Sequence, residues 1–347
     1  MCKYRGYVKI RVICGASTRT LEVDSSTRLD ECVALGIETS RNQAQALIKQ
    51  GAITLNGTLC QKCGLRLTAD TSISIALPPS TQAKPTTQVP EMAITRIYED
   101  EELLILNKPP HLVVHSAPSV REATLVDWLQ AQGVMLSTLS GAHRAGIVHR
   151  LDKQTSGAIA IAKTNAAHAY LSQQLKDRAM GRYYVALIDK PLKEPRMIAC
   201  NLARHPNNRL KMANIDAMGQ HSTAARFSQS VFIPLINTQE TSLLAIKLYT
   251  GRTHQIRAHL ESINRHIVGD RLYGYSGALE CRVMLHAYLL YLTHPATHKQ
   301  MVFRAGIFGD MLQCAQEIFG VKEFDEAIRQ DEIVQAFNHW DSAYRAK

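Results

Sequence analysis

His149-Arg150-Leu151-Asp152-Lys153-Gln154-Thr155-Ser156-Gly157 is the stretch on which the reading of this chain turns. One carboxylate, Asp152, stands among His149, Arg150 and Lys153, and Thr155, Ser156 and Gly157 suit a tight loop. A basic, turn-like lead-in (Gly141 to Val148) precedes it, and Ala158-Ile159-Ala160-Ile161-Ala162 follows, alternating like a strand. Nearby positive charge keeps a carboxylate ionised, so a lone acid among cations at a strand entrance suits reactive chemistry. On charge pattern alone, a surface ion pair in a loop is the commoner reading.

Upstream of this stretch, Tyr7 to Ile13 reads as a short β lead-in within residues 1–26. From residue 27 the pattern sharpens. Arg28-Leu29-Asp30 begins a short helix. Ser40 is placed to cap a second helix over Arg41 to Gln50, with Ala44, Leu47 and Ile48 as its apolar stripe and Gly51 as its stop. Asn56-Gly57 between short β runs is a strong hairpin signal, and Ile73 to Leu77 gives a last strand. Residues 78–93 hold Pro78, Pro79, Pro85 and Pro90 among Thr, Gln and Ser, and read as a stiff linker.

Residues 94–305 mix strands and helices without regular βαβ alternation, which predicts an α+β domain with a mixed, largely antiparallel sheet. Residues 306–347 read as a helical extension. From 321 onward it holds four Lys or Arg against six Asp or Glu, so the remaining chain carries +12 of the net +10. That surplus favours a polyanionic partner. No run reaches the roughly 18 apolar residues of a membrane span, and the start of the chain lacks a leader-like apolar stretch. The eight cysteines include one Cys-x-x-Cys, Cys60 and Cys63, with no second pair to complete a zinc site. Reduced thiols in a cytoplasmic protein are the expectation.

Several catalytic readings fail. A kinase loop has His-Arg-Asp without the intervening leucine, and neither Asp-Phe-Gly nor a glycine-rich phosphate loop accompanies it. His254 and His259 are five apart and do not share a helix face as paired metal ligands would, so no metal site is expected.

Three further stretches accompany the central one: Ala145-Gly146-Ile147-Val148; Gly251-Arg252-Thr253-His254-Gln255-Ile256-Arg257 with Ile267-Val268-Gly269-Asp270 and Tyr273-Gly274; and Met284-Leu285-His286-Ala287. With these in order, residues 94–304 resemble the pseudouridine synthases of the RluA type. Residues 27–77, carrying Arg28-Leu29-Asp30, Ser40 to Gln43, Leu47 to Gly51 and Leu55-Asn56-Gly57, resemble the S4 RNA-binding domain. The resemblance implies a pseudouridine synthase fold preceded by a small α+β S4-like domain. It implies isomerisation of specific uridines, most readily in large-subunit ribosomal RNA, by a monomer that needs no cofactor and binds no membrane. Pre-ribosomal particles are a further expected partner. A tRNA substrate and a non-catalytic ribosome-assembly role are the competing readings.

By this resemblance Asp152 matches the essential aspartate, Tyr184 the active-site tyrosine, and Arg257 the arginine that pairs with the aspartate. Leu285 matches a residue lining the base pocket. Arg150 matches one that acts as the base leaves the stack, and Lys108 lies in a further signature, Asn107-Lys108-Pro109. Arg28, Arg41 and Lys49 are the candidates for RNA phosphates. Three departures stand out: Arg182 where the family usually has lysine, His111 where it usually has glycine, and Asn264-Arg265-His266 where it usually has Gly-x-Pro.

Overall fold

The computed structural model describes residues 7–14, 17–24, 26–37, 39, 41–68, 70–76, 89, 91–116 and 120–345. Ser40 and most of the stretch read as a linker lie outside the described residues.

The N-terminal part is one small sheet backed by two helices. β1 (Tyr7–Cys14) and β2 (Ser17–Asp24) form an antiparallel hairpin; α1 (Leu29–Gly36) and α2 (Arg41–Lys49) follow, then β3 (Ile53–Leu55), β4 (Thr58–Leu59) and β5 (Ser72–Ile75). The strand order is β2-β1-β5-β3-β4. β1 pairs in parallel with β5, so the lead-in expected to stand apart is built into the same sheet. Its partner β2 was not legible because its Thr, Arg and Glu positions face water at the sheet's edge and leave only Leu21 and Val23 as apolar signal. At Asn56-Gly57 both residues take positive φ, 48° and 83°, as a two-residue hairpin turn with right-handed strands demands.

The large sheet has ten strands among the described residues. They are β6 (Thr95–Glu99), β7 (Leu103–Lys108), β8 (Ser156–Ala162), β9 (Gly181–Asp189), β10 (Arg196–Arg204), β11 (Met212–Asn214), β12 (Arg226–Asn237), β13 (Thr241–Leu248), β14 (Leu285–Thr293) and β15 (Gln300–Arg304). The order is β11-β10-β12-β13-β9-β14-β8-β7-β6, with β15 added to β14. All pairings are antiparallel except a short parallel contact of β14 with β8, where Ala287 faces Gly157. A Cβ on residue 157 would lie 2.3 Å from the Ala287 carbonyl oxygen, so only glycine lets the strand after the central loop meet β14.

Three helices pack on or beside this sheet before its last strand, α3 (Leu125–Ala131), α4 (Asn165–Asp177) and α5 (Gln255–Glu261), and α6 (Gly309–Phe319) follows β15. α7 (Val321–Ala327) and α8 (Gln330–Arg345) complete the C-terminal part. Phe324, Ile333 and Phe337 are fully buried in the same apolar cluster as the sheet, and the Phe337 ring lies 5.0 Å from that of Tyr183. Burial of each such side chain contributes roughly 1.5–3 kcal/mol. Lys247 on β13 pairs with Asp341 on α8 at 2.8 Å.

The two parts touch. Leu139, from the loop between α3 and β8, is buried in the core of the N-terminal sheet, and Gln43 on α2 donates to the Ser140 hydroxyl at 3.0 Å.

Candidate active site

The central loop is held from beneath. Lys108, at the end of β7, is fully buried, and its ammonium donates to the carbonyls of Pro109 (2.7 Å), Leu112 (2.9 Å) and Lys153 (3.3 Å). Three acceptors match the three donors of the charged form. Burial nevertheless pushes its pKa down to about 7, against an opposing pull from Asp152. Gln154 accepts from the Val283 amide at 3.1 Å and ties the loop to the entrance of β14. Thr155 donates its amide to the Asp152 carbonyl at 3.1 Å, closing the turn that presents the Asp152 side chain.

The cations beside Asp152 in sequence are not its partners in space. His149 is buried and accepts from the Ala160 amide at 3.0 Å; burial first, and Arg182 second, hold its pKa well below the ordinary value, so it is neutral. Lys153 pairs with Glu122 at 2.8 Å, and Arg150 donates to the Thr253 hydroxyl. Side chains of adjacent residues in a turn diverge, which sequence spacing does not reveal.

The groups that reach Asp152 come from around α5. Arg257 Nη1 lies 3.6 Å and His254 Nε2 3.9 Å from Asp152 Oδ2. The two-pronged grip of Arg257 is on another acid: its Nε and Nη2 donate to Asp270 at 2.6 and 2.7 Å. Its guanidinium also stacks over the Tyr273 ring, 4.6 Å from the centroid. Arg257 was expected to pair with Asp152. It does so by one prong, and loosely, because Asp270 already fixes its plane. Burial lowers the pKa of His254, with Asp152 pulling the other way, and its Nδ1 lies 3.1 Å from the Tyr273 hydroxyl.

Tyr184 on β9 and Leu285 at the start of β14 are both buried and line the cleft with Asp152, Arg150, Arg182, His254 and Arg257. Burial raises the Tyr184 pKa, so the phenol keeps its proton at neutral pH. Lys108 is the one cleft candidate that the structure withdraws from substrate: it lies under the loop, not in the cleft.

In the N-terminal domain Arg28 and Arg41 converge on one buried acid. Asp30 accepts from Arg28 Nε at 3.1 Å, Arg41 Nε at 3.0 Å and Gln45 Nε2 at 2.5 Å. Burial opposes its charge, but these three donors prevail and hold its pKa down to about 2. Arg41 also pairs with Glu31 at 2.8 Å. Both arginines are therefore engaged within the domain, while Lys49 is exposed. Asp270, Tyr273 and His254 complete the site and were assigned no role from sequence, although their stretches were among the recognised ones.

This arrangement can hold a flat base between an apolar wall and an aromatic one, with a carboxylate beside it. Comparisons with known proteins agree. Residues 102–262 match the RNA pseudouridylate synthase family, and residues 27–73 match the S4 domain. A Helicobacter pylori protein described as an uncharacterized RNA pseudouridine synthase is 48% identical over 89% of this chain and 95% of its own length. The ribosomal large subunit pseudouridine synthase D of Zymomonas mobilis is 34% identical over 82% of this chain and 91% of its own. Among solved structures, human RNA pseudouridylate synthase domain containing 1 shares the fold, with a TM-score of 0.51 and 22% identity over 63% of this chain and 86% of its own. The chain belongs to the RNA pseudouridylate synthase family, with an S4 domain at its N-terminal side. Membership makes it an isomerase that turns uridine into pseudouridine within RNA.

Proposed function

We propose that this enzyme modifies specific uridines of large-subunit ribosomal RNA, with Asp152 as the reacting carboxylate. The observation that carries the site assignment is the cleft itself: a carboxylate 3.6 Å from a guanidinium that is fixed by a second acid, facing Tyr184 and Leu285. Ribosomal RNA is favoured by the S4 domain and by relatives named for the large ribosomal subunit.

The reaction breaks the N1–C1′ bond of uridine, turns the base, joins C5 to C1′, and moves a proton from C5 to N1. It gains and loses no electrons. Asp152 serves as nucleophile or as base. Arg257 orients it, and its single prong leaves the carboxylate's other positions open. Tyr184, protonated, offers a ring face to the uracil and a hydroxyl to the proton's path; a phenolate base would first have to lose a proton that burial retains. Arg150, exposed at the mouth, is placed to fill the space of a base leaving the stack, an event costing a few kcal/mol.

Mapping of pseudouridine in total RNA from cells with and without the gene tests this reading. Loss at defined uridines of large-subunit RNA is expected. Losses confined to tRNA would overturn the substrate, and losses nowhere would overturn the activity.

A further inference from the structure

Arg182 is the second residue of β9, two before Tyr184 and so on the same face of the strand. It is only 7% exposed. Among the described residues its guanidinium has no hydrogen bond and no ion pair, and Nε is buried without any partner. Its charge reaches His149, Tyr184 and Tyr291, all uncharged in this setting. Other buried arginines of the chain are answered: Arg257 by Asp270, Arg282 by Asp310. An unanswered buried charge is costly, and folded proteins rarely keep one without use.

Its position suggests the use. Arg182 stands at the seam between the Asp152 cleft and a second groove of about 560 Å³. Arg144, Arg150, Arg178 and Lys247 also line that groove, against a single carboxylate, Asp341, already paired with Lys247. Gln43 of α2 and Ser140, where the two domains meet, line the same groove. Gly251 forms the wall opposite the guanidinium: a Cβ there would sit 3.1 Å from Nη2, so glycine leaves the fork room for a ligand.

We propose that Arg182 is the seat for a backbone phosphate of the RNA strand that carries the target uridine, at the point where the catalytic cleft opens into the cation-lined groove. The inference rests on the reading that a uridine of RNA enters the cleft. A phosphate supplies the missing anion, and its oxygens match the planar fork in a two-pronged contact. The strand then runs from the cleft over Arg182, past Arg178 and Arg144, toward the N-terminal domain.

The test uses the full chain with Asp152→Asn to prevent turnover, and a single-stranded twelve-residue oligouridylate followed by fluorescence anisotropy from 50 to 300 mM KCl. Adding Arg182→Gln should weaken binding about tenfold or more and make the salt slope shallower by about 0.7, one phosphate contact. Arg182→Lys should keep the slope. Gly251→Ala, which keeps the charge but crowds the fork, should weaken binding with the slope retained. Thermal melting supplies the readout that a structural role would reverse. Removing an unanswered charge should leave the Tm of Arg182→Gln equal or higher, whereas removing a structural arginine lowers it. Unchanged affinity and slope for Arg182→Gln, or a lowered Tm, would overturn the seat. The two readings fail separately. An enzyme with Asp152 intact that makes pseudouridine in no RNA, beside a shallower slope for Arg182→Gln, sinks the function and leaves the seat. A productive enzyme beside an unchanged slope does the reverse.

Discussion

Two arginine–aspartate clusters, one in each domain of this molecule, are wired in opposite ways. In the N-terminal domain two arginines, Arg28 and Arg41, serve one buried acid, Asp30. In the cleft two acids, Asp152 and Asp270, share one arginine, Arg257. The first cluster saturates its carboxylate, which holds two helices together and has nothing left to react. The second saturates Asp270 and leaves Asp152 with one contact at 3.6 Å and another at 3.9 Å to His254. An excess of donors makes a strut; an excess of acceptors leaves one acid under-bonded, and that acid faces the cleft.

The sharpest break of this comparison is Asp152→Asn. It keeps shape but removes the carboxylate proposed to react, and the single-turnover rate should fall at least about 10³-fold while RNA affinity stays within a few-fold. Retained conversion would mean that the under-bonded acid is not the reacting one.

Next comes Arg257→Met, which strips both acids at once. Asp270 is 1% exposed, and an abandoned buried partner typically costs about 3–5 kcal/mol, so the melting temperature should fall along with the rate. Arg257→Lys keeps the charge but cannot grip Asp270 with two prongs, and should lie between wild type and Met in both measurements. A Met variant of normal Tm would show that Asp270 finds support elsewhere.

Asp30→Asn tests the strut. The carboxyl titrates at about 2 in the fold against an ordinary 3.8, so its contribution is present above pH 4 and is lost as pH falls through 2. That difference amounts to on the order of 2 kcal/mol at pH 7. Hydrogen exchange of α1 and α2 should accelerate in the Asn variant at pH 7, and the two proteins should converge near pH 2. Equal exchange at pH 7 would mean the three donors add nothing.

The smallest effect is expected at Lys49→Gln. Lys49 is exposed and outside the Asp30 cluster, so its loss should lower the salt slope of RNA binding by about 0.7–0.9 without changing Tm. Arg41→Gln, by contrast, should change Tm. The reverse pattern would make Arg41 the RNA contact and Lys49 a bystander.

The cleft was legible in sequence because its residues sit in short, ordered motifs: Asp152, Tyr184, Arg257 and Leu285 do line one site. What sequence could not supply was pairing. Three basic residues near Asp152 in the chain suggested its partners, yet a turn sends Lys153 to Glu122 and Arg150 to Thr253. Asp270 was in view but gave no sign of competing for Arg257, since it stands 13 positions further along the chain and past a turn. Lys108 read as a cleft residue because Asn107-Lys108-Pro109 resembles a family signature; only its burial under three carbonyls shows a support. The fold class followed from irregular strand and helix alternation, whereas β2 was missed because an edge strand spends half its residues on water.

Leu139 has a consequence for the order in which the protein is made. It fills the core of the N-terminal sheet, yet it lies 64 residues beyond Ile75, the last strand residue of that sheet. At bacterial-like synthesis speeds of about 5–20 residues per second, roughly 3–13 seconds separate the two. For that interval the nascent N-terminal domain has its strands and helices but lacks one member of its apolar core. Of the two domains the one made earlier is thus not the one finished earlier, and its last piece is delivered by the loop that leads to Asp152.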